Sequence, residues 1–560
     1  MGHDADAGRD RLSNLGDGVI GHILSFLDAK EAGRAAALSS RWRDVLGSVH
    51  TVSLEQPERP YFIYDSDNLY DNGVARRLIA AVNAALFSRD RRPYPAAAAV
   101  PLRALRVSLE GYDPGDKSTV DLCLSYALRH AAPEFDLDLR FGRDSACGRY
   151  DRLDAADADA DVAADSPVEF RAVAVNPPRK SPESDDYSHG VSAEDEDEDE
   201  DDVSSSDDDD ERVARPWNRP SLEYTVLSGL FSRATLRFLR LGYCRLSPPV
   251  TISLPSLEAL HLTHVPDEEE HVQRLISACP RLADLTLEAC GMVTALSLLD
   301  NARLRRLALR CCHKLARLAV DAPELHSLEY RGTIPDDSFL TVRGGGGGFP
   351  AVTSCKIDIL EVEEATSEEE LVNLGSFLQQ LASTTKHLHL CSARMGSSFV
   401  NLPAFPSLRH LELTGSVPRS DDPVVVAASM SSVLMQAPNL ELLSLFFEAA
   451  PRADDHFADG GHSKEELLDA HHLHYSRYDT LDYAPAVVPP CLGSRLRKIE
   501  LLQYQGGRAQ RTLARFLLLN APVLEQLYCG LAEGPEWVQR ELTLEMQCWV
   551  VNETASTEFH

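Results

Sequence analysis

The most regular feature of the chain is a spacing of leucines that begins near residue 236. It reads Leu, two residues, Leu, one residue, Leu, two residues and then Cys or a small residue, as in Leu236-x-x-Leu239-x-Leu241-x-x-Cys244. Two leucines separated by one residue lie on the same side of a strand, because successive side chains point to opposite faces. Each copy therefore predicts a short strand with one apolar and one polar side.

The pattern recurs at intervals that are typical of leucine-rich repeats. The first full copies are separated by 21, 25 and 22 residues, within the usual range for such repeats. Shorter or more widely spaced copies lie at 315–320, 325–330, 388–390, 408–413, 440–445 and 496–501. One repeat cannot bury its leucines alone, so its neighbours must stack on it. The prediction is an α/β fold, an irregular solenoid of short parallel strands with helices or loops on the convex side. A mixed α/β domain with coincidental leucines is a poor alternative for so many copies in phase.

A weaker form of the same pattern precedes these copies. Alternating apolar residues predict strands at 52–54, 102–109 and 135–139, and helical spacing predicts a helix at 74–87. We assign 51–150 to irregular N-terminal repeats and 216–450 to the main repeats. A further amphipathic helix is expected at 268–277.

The first fifty residues have helical periodicity instead. Val19, Ile20, Ile23 and Leu24 recur at helical spacing, and a second short helix is expected at 30–40. Helices this short cannot bury their apolar sides alone. The rest of the chain or a partner must cover them.

The motifs DRLSNL, ILSFL, KEA and LSSRWR, in this order within residues 10–46, resemble the F-box of plant F-box proteins. The resemblance implies a three-helix unit at 8–50 that binds a Skp-type adaptor and, through it, a Cullin–RING ligase. The adaptor-binding residues that it implies are Leu12, Leu15, Val19, Ile20, Ile23, Leu24, Leu27, Leu38 and Trp42. Gly16 and Asp28 stand where the family usually has proline. The alternative is an ordinary helical hairpin of the core.

A second resemblance lies near the C-terminus. The segment from Pro490 to Glu525, with the strand-like KIEL and the helix-like LARFLLLNAP, is similar to the FBD module of plant F-box/leucine-rich-repeat proteins. Physically it reads as one more strand–helix–strand unit. We assign 489–552 to this FBD-like repeat and 451–488 to a polar loop before it.

Charge is distributed unevenly along the chain. The formal net charge is −32, but residues 183–211 alone hold 17 acidic residues and no Lys or Arg. We predict that 151–215 is a disordered acidic insert, because like charges repel and little apolar surface is available to order them. Even without that tract the protein is acidic, which argues against nucleic acid as a partner.

Other features exclude several classes of protein. The chain has no apolar run long enough to cross a membrane, and we expect no secretory leader because its first residues lack an apolar stretch. The twelve cysteines show no disulfide spacing, which favours reduced thiols and a cytoplasmic or nuclear location. Five histidines between 456 and 474 match no metal motif, and we find no nucleophile, kinase or nucleotide signature. We therefore expect no cofactor, no metal and no catalytic activity.

The combined prediction is a non-catalytic substrate receptor of an SCF-type (Skp–Cullin–F-box) ubiquitin ligase. An alternative is an acidic leucine-rich-repeat protein that binds basic partners such as histones. In leucine-rich repeats the residues between the inward leucines face the concave surface. The resulting target-binding candidates are Arg240, Tyr243, His261, Thr286, Glu288, Arg306, Arg310, His389, Glu412 and Phe446.

Overall fold

The structure is a computed structural model that describes residues 15–38, 40–45, 48–55, 72–88, 100–109, 111–142, 223–343, 348–359, 368–395, 401–418, 421–448, 475–484 and 487–560. The acidic insert predicted at 151–215 lies outside the described residues. So do Leu12, the histidines between 456 and 474, and most of the glycine run at 344–348. All described residues belong to one compact unit.

The helices fall into an N-terminal group and a set placed between strands. They are α1 (Asp17–Leu24), α2 (Ala29–Ala37), α3 (Ser40–Val45), α4 (Asn72–Ser88), α5 (Lys117–Arg129), α6 (Glu269–Ser277), α7 (Glu368–Gln379), α8 (Pro423–Met435), α9 (Pro490–Ser494), α10 (Arg508–Leu519) and α11 (Glu536–Trp549). The helices expected at 74–87 and 268–277 are thus confirmed as α4 and α6.

The strands are short, as the leucine spacing predicts. They are β1 (Thr51–Glu55), β2 (Leu102–Ser108), β3 (Ala131–Arg140), β4 (Tyr224–Thr225), β5 (Leu236–Gly242), β6 (Cys244–Arg245), β7 (Ala259–Thr263), β8 (Asp284–Glu288), β9 (Ala295–Leu298), β10 (Arg306–Arg310), β11 (Arg317–Val320), β12 (Ser327–Gly332), β13 (Leu340–Val342), β14 (Ser354–Ile359), β15 (His387–Arg394), β16 (His410–Ser416), β17 (Leu442–Glu448), β18 (Lys498–Tyr504), β19 (Gln526–Leu531) and β20 (Ser556–Phe559).

Fifteen of these strands form one parallel sheet. Its order is β1-β2-β3-β5-β7-β8-β10-β12-β14-β15-β16-β17-β18-β19-β20, so neighbouring strands follow one another along the chain. The intervening segments pack their apolar residues against one side of this sheet. This is the α/β solenoid that the repeats predict.

The register aligns the leucines of successive repeats. Leu239, Leu260 and Leu285 are direct neighbours in one row across the sheet, and all three are completely buried. Burial of such a side chain stabilises a fold by roughly 1.5–3 kcal/mol. Because each leucine is covered by the next repeat, the core is continuous from β1 to β19.

One copy of the pattern folds differently. The copy at 315–320 forms β11, which pairs with β9 and β13 in a separate three-stranded parallel sheet. The connections in this part of the chain are short and carry their own alternating apolar residues, such as Leu318 and Val320, both buried. They therefore form strands where other repeats have helices.

The N-terminal helices have a core of their own. Ile20, Leu24, Val45 and Val49 form this small cluster. It is separate from the core of the large sheet, although α2 also packs against α4 and β1.

The cysteines agree with the sequence analysis at all but one described position. Ten have free thiols, and eight of these are buried. Cys311 is disulfide-bonded, so the prediction of reduced thiols is wrong at this position.

Candidate interaction surfaces

The N-terminal helices divide their apolar residues between an inner and an outer side. Ile20 and Leu24 of α1 are 1% and 0% exposed, because they fill the small core. In contrast, Phe26 is 77% and Leu38 is 86% exposed, and Val19 and Ile23 are also exposed. We call these four side chains (Val19, Ile23, Phe26 and Leu38) the apolar surface of the helices.

This division corrects part of the sequence prediction. Ile20 and Leu24 were expected to contact an adaptor, but they lie inside the three-helix unit and cannot reach a partner without its unfolding. Leu15, Leu27 and Trp42 are partly buried and pack on the small core. Leu12 lies outside the described residues. Val19, Ile23 and Leu38 remain available for contact.

Local sequence explains how the helices are held. The carboxylate of Asp28 accepts a hydrogen bond from the backbone N–H of Glu31 at 2.6 Å and so caps α2, an interaction of about 1 kcal/mol. Arg41 of α3 pairs with Asp17 of α1 at 2.9 Å. Asp28, which departs from the usual proline, therefore has a structural role of its own.

The second surface is the polar side of the large sheet, opposite the leucine rows. We call it the open face. The predicted residues Arg240, His261 and Thr286 are direct neighbours in one register row across it, and His389 and Glu412 are neighbours in the same row further along. The remaining predicted residues, Tyr243 apart, lie in the rows on either side: Arg306 in one, and Glu288, Arg310 and Phe446 in the other.

Tyr243 is the exception among the predicted residues. It follows the last residue of β5 in a left-handed conformation, with φ of 55°, and its ring stacks on His264 at 4.6 Å between centroids. Left-handed residues also end the strands at His264, Ala289 and Cys311. Tyr243 therefore belongs to this turn at the edge of the sheet and not to the open face.

Arginine–carboxylate pairs occupy the middle of the open face. Arg310 makes two hydrogen bonds of 2.8 Å to Glu329, and Arg306 pairs with Asp284 at 2.7 Å. Burial opposes ionisation of Asp284, but His261 and Arg306 together hold its pKa below the ordinary value. These arginines are already neutralised within the sheet.

A different set of side chains lies on β14 to β18 and immediately before β15. We call it the His/Lys patch; it consists of Lys356, Lys386, His387, His389, His410 and Lys498. His387 and His410 are neighbours in the register, with their Nδ1 atoms 3.4 Å apart. His389 lies beside Lys356, and its Nε2 is 3.0 Å from the hydroxyl of Thr414.

The pKa values of the three histidines are all lowered. Burial, with a smaller effect of Lys356 and His410, lowers the pKa of His389 to about 3. Burial and Lys386 lower the pKa of His387. Burial, His387 and Lys498 lower the pKa of His410, against an opposite effect of Glu500. The imidazoles are therefore neutral at pH 7.

Sequence analysis found only His389 of this patch. Lys356 lies between Cys355 and Ile357, which depart from the leucine spacing, and the other four residues precede the positions between the inward leucines. Strand pairing brings their strands together. Within the part of the chain that the structure describes, no group of three or more His, Cys, Asp or Glu side chains is arranged to hold a metal ion. No helix within the described ranges is long and apolar enough to span a membrane.

The C-terminal region contains a buried charged residue on a helix that packs beside the sheet. Arg511 of α10 is only 2% exposed, and its guanidinium donates to Glu545 at 2.6 and 2.9 Å and to Asp479 at 3.0 Å. It also lies over the ring of Tyr475 at 4.7 Å. It thereby joins α10, α11 and the segment 475–484. β18, α10 and β19 form the expected strand–helix–strand unit.

Comparison with known families agrees with this architecture. Three family models match in order along the chain: the F-box domain at residues 12–52, the At1g61320/AtMIF1 LRR domain at 218–475, and FBD at 484–527. The chain therefore carries an F-box domain, leucine-rich repeats and an FBD domain, in the order that the sequence motifs predict. The apolar surface of the helices lies in its F-box, and the middle of the open face lies in its leucine-rich repeats.

Curated relatives from Arabidopsis thaliana have names that include the same domains. The chain is 28% identical over 309 residues to the F-box/FBD/LRR-repeat protein At4g26340, and the matched region covers 54% of this chain and 63% of that protein. It is 27% identical over 320 residues to the FBD-associated F-box protein At5g38590, covering 54% of this chain and 65% of that protein. Over 54 residues, 9% of this chain and 12% of the relative, it is 44% identical to the F-box/LRR-repeat protein At2g42720. The chain thus spans less than two thirds of the length of At4g26340 and of At5g38590.

Proposed function

We propose that this protein is the substrate-recognition subunit of an SCF-type ubiquitin ligase. In this role its F-box binds a Skp-type adaptor, and the adaptor links it to a Cullin–RING ligase. The open face of its repeats binds the target protein. The observation that carries the proposal is the apolar surface of the helices, which lies outside a complete small core.

The exposure of these side chains supports adaptor binding in particular. Val19 and Ile23 are one helical turn apart on α1, so they lie on the same side of that helix. Large apolar side chains that stay exposed beside a well-packed core are characteristic of protein interfaces, where a few of them carry most of the binding energy. Phe26 and Leu38, the most exposed of the four, gain most from burial against a partner.

In this function the chain contributes no reacting group. The RING partner and its charged conjugating enzyme transfer ubiquitin, and the receptor raises the rate by holding a lysine of the target near them. The open face suits the recognition step, since its charged and polar side chains discriminate between partners by complementarity. We also propose that the protein works in the cytoplasm or the nucleus, which imaging of a fluorescent fusion in plant cells can test.

Adaptor binding is tested by co-purification of the full chain with a purified Skp-type adaptor. Val19→Asp and Ile23→Asp should each abolish recovery of the adaptor, because the new carboxylate would lose its hydration in an apolar interface. Val250→Asp is the matched control, since Val250 is 90% exposed and lies in the repeats. Circular dichroism should show the same fold for all three variants. Recovery of the adaptor at the wild-type level by both F-box variants would refute the proposal.

A further inference from the structure

Arg240 differs from nearby arginines of the open face because no carboxylate pairs with it. Arg140 lies 3.1 Å from Asp138, and Arg310 lies 2.8 Å from Glu329. Within the described ranges Arg240 forms no ion pair, and its Nε–H group is buried without a hydrogen-bond acceptor. It is therefore a charged side chain of the open face whose hydrogen bonds are incomplete.

The backbone directs Arg240 to the open face. Leu239 and Leu241, on either side of it in β5, are completely buried in the core, and successive side chains of a strand point to opposite faces. The charges that act on the guanidinium of Arg240 belong to β3, β8 and β10, which lie on both sides of β5 in the sheet. The side chain is only partly buried among them, so a ligand can reach it.

The direct neighbours of Arg240 in the register do not act as its partner. Asp138 lies beside it on β3, but this carboxylate accepts a hydrogen bond from Nε of Arg140. His261 lies beside it on β7, and its Nε2 atom is 3.5 Å from a carboxylate oxygen of Asp284. Both neighbours therefore have charged partners of their own, and neither bonds to Arg240.

The burial of this unpaired guanidinium is unfavourable for the free protein. Burial is the largest cause of the lowered pKa of Arg240, and it outweighs the attraction of Asp138 and Glu288. Arginine nevertheless stays protonated in proteins at pH 7. A charge that loses hydration without gaining hydrogen bonds makes a fold less stable. A ligand that supplies an acceptor would remove this unfavourable contribution.

We propose that Arg240 binds a carboxylate of the target protein, either an acidic side chain or the C-terminal carboxylate of its chain. This inference rests on the proposed function and specifies which chemical group the receptor selects. A guanidinium offers parallel N–H donors that match the two oxygens of a carboxylate, and such charge-assisted hydrogen bonds are about twice as strong as neutral ones. Arginine is also among the residues that most often carry the binding energy of an interface.

The side chains around Arg240 leave room for such a group. Gly242 lies two residues further along β5, on the same side of the strand, and it has no side chain to cover the guanidinium. Ala259 and Thr263 of β7 are paired with β5 in the register, and both side chains are small. A carboxylate can therefore approach Arg240 from the solvent side without displacing a large residue.

A carboxylate suits this position better than a phosphate does. Asp138 and Glu288 act on the same guanidinium, and they would repel the second negative charge of a phosphate. Nucleic acid is also disfavoured, since its binding depends on many phosphate contacts and the nearby Arg140 and Arg310 are already paired.

The test starts with peptides that the full chain selects. The immobilised protein captures binders from a library of random heptapeptides with free C termini, and mass spectrometry identifies them. Each binder is then made with glutamate or glutamine in place of its acidic residues, and with a free or an amidated C terminus. Fluorescence polarisation measures their binding.

Removal of the recognised carboxylate should weaken binding by about tenfold or more, as expected for loss of a charge-assisted hydrogen bond. A loss with glutamine assigns the site to an acidic side chain, and a loss with the amide assigns it to the C terminus. Equal binding of all forms, or the selection of no peptide, would overturn the inference. So would tighter binding of a form in which phosphoserine replaces the acidic residue.

Substitutions assign the effect to Arg240. Arg240→Met keeps much of the length of the side chain and removes its charge, so the variant should bind the carboxylate and neutral forms equally. Arg317→Met is the matched control, because Arg317 is an exposed arginine of β11, outside the large sheet. This control should keep the preference of the wild type. A preference that survives Arg240→Met would overturn the inference.

Thermal unfolding distinguishes a binding residue from a structural one. Arg240→Met should raise the midpoint of unfolding, because it removes a partly buried charge that has no partner. Arg310→Met should lower the midpoint, because it leaves Glu329 without the two hydrogen bonds of 2.8 Å that Arg310 donates. A lower midpoint for Arg240→Met would show that Arg240 stabilises the free protein and would overturn the inference.

Adaptor co-purification separates this inference from the proposed function. A wild-type chain that prefers carboxylate peptides without binding the adaptor would contradict the ligase function and support the role of Arg240. A chain that binds the adaptor but shows no preference among the peptides would contradict the role of Arg240 and support the ligase function.

Discussion

The F-box and the large sheet bury their apolar side chains in different ways. The F-box buries Ile20 and Leu24 in a small core but leaves Phe26 and Leu38 exposed. The sheet buries its leucines in continuous rows, because every repeat covers the one before it. The two regions therefore expose different side chains to solvent. The F-box exposes apolar side chains, and the sheet exposes charged and polar ones.

This difference corresponds to two kinds of recognition. An apolar surface gains binding energy from burial but discriminates weakly between partners, which suits a constant adaptor. A polar surface gains less from burial but rejects ligands that leave its charges unpaired, which suits a selective receptor.

The largest effect is expected from the charged side chain that is buried on α10 in the C-terminal region. Arg511→Ala should reduce the free energy of unfolding by about 3–5 kcal/mol, because it leaves the carboxylates of Glu545 and Asp479 without their partner. Arg515→Ala on the same helix is the control; its side chain is 37% exposed, and its loss should cost less than about 1 kcal/mol. Urea denaturation measures both. Equal losses would mean that this region is not a closed core.

A leucine of the sheet should also cost far more than an apolar residue of the F-box surface. Leu285→Ala should destabilise the protein by about 2–5 kcal/mol, since it leaves a cavity in a continuous core. Val19→Ala should change the free energy of unfolding by about 0.5 kcal/mol or less. Similar values for the two, again from urea denaturation, would remove the contrast between the two regions.

A pH-dependent effect is expected from the His/Lys patch. The pKa of His389 is lowered to about 3, whereas an unfolded histidine has a pKa of about 6.5. Below that value the unfolded chain takes up a proton that the folded protein does not, so stability falls as the pH falls. Between pH 7.5 and pH 5.5 the loss should be about 1 kcal/mol. Denaturation of wild type and His389→Gln at both pH values isolates it, and an unchanged pH dependence in the variant would show that His389 does not titrate in this way.

The smallest effect concerns the entry to α1. Gly16 has φ of −64°, which is the angle that proline prefers, and a Cβ atom there would meet no other atom within 4 Å. Gly16→Pro should therefore stabilise the F-box by about 0.4–1 kcal/mol through the unfolded state. The midpoint of thermal unfolding of α1, followed by hydrogen exchange, should rise. A fall would indicate that the proline strains the backbone of Leu15.

The sequence predicts the sheet well because its signal is local. Leucines such as Leu239 and Leu241 define a strand and its buried side within one repeat, and the next repeat supplies the cover. Which apolar residues of the F-box are buried and which are exposed is harder to predict, since Val19 and Ile20 are adjacent apolar residues of the same helix. Helical spacing alone does not tell which of the two faces a core only four residues in size.

The open face is predictable only in part, for the same physical reason. Arg240 and His261 are predicted by their alternation with the leucines. The left-handed turn that removes Tyr243 from this face is not predicted, because position 243 itself is not a glycine. The His/Lys patch depends on the pairing of strands that lie far apart in the chain. Lys356 and Lys498 are separated by more than a hundred residues, and only the register places them on one surface.

The central claim is that the F-box surface binds the adaptor independently of the open face. Its most direct test is the dissociation constant of a purified Skp-type adaptor, measured by calorimetry for wild type, Leu38→Asp and Arg240→Met. Leu38→Asp should weaken binding by about a hundredfold or more, as for loss of an interface hot spot, and Arg240→Met should leave it unchanged. An adaptor affinity that survives Leu38→Asp, or that falls with Arg240→Met, would contradict the account.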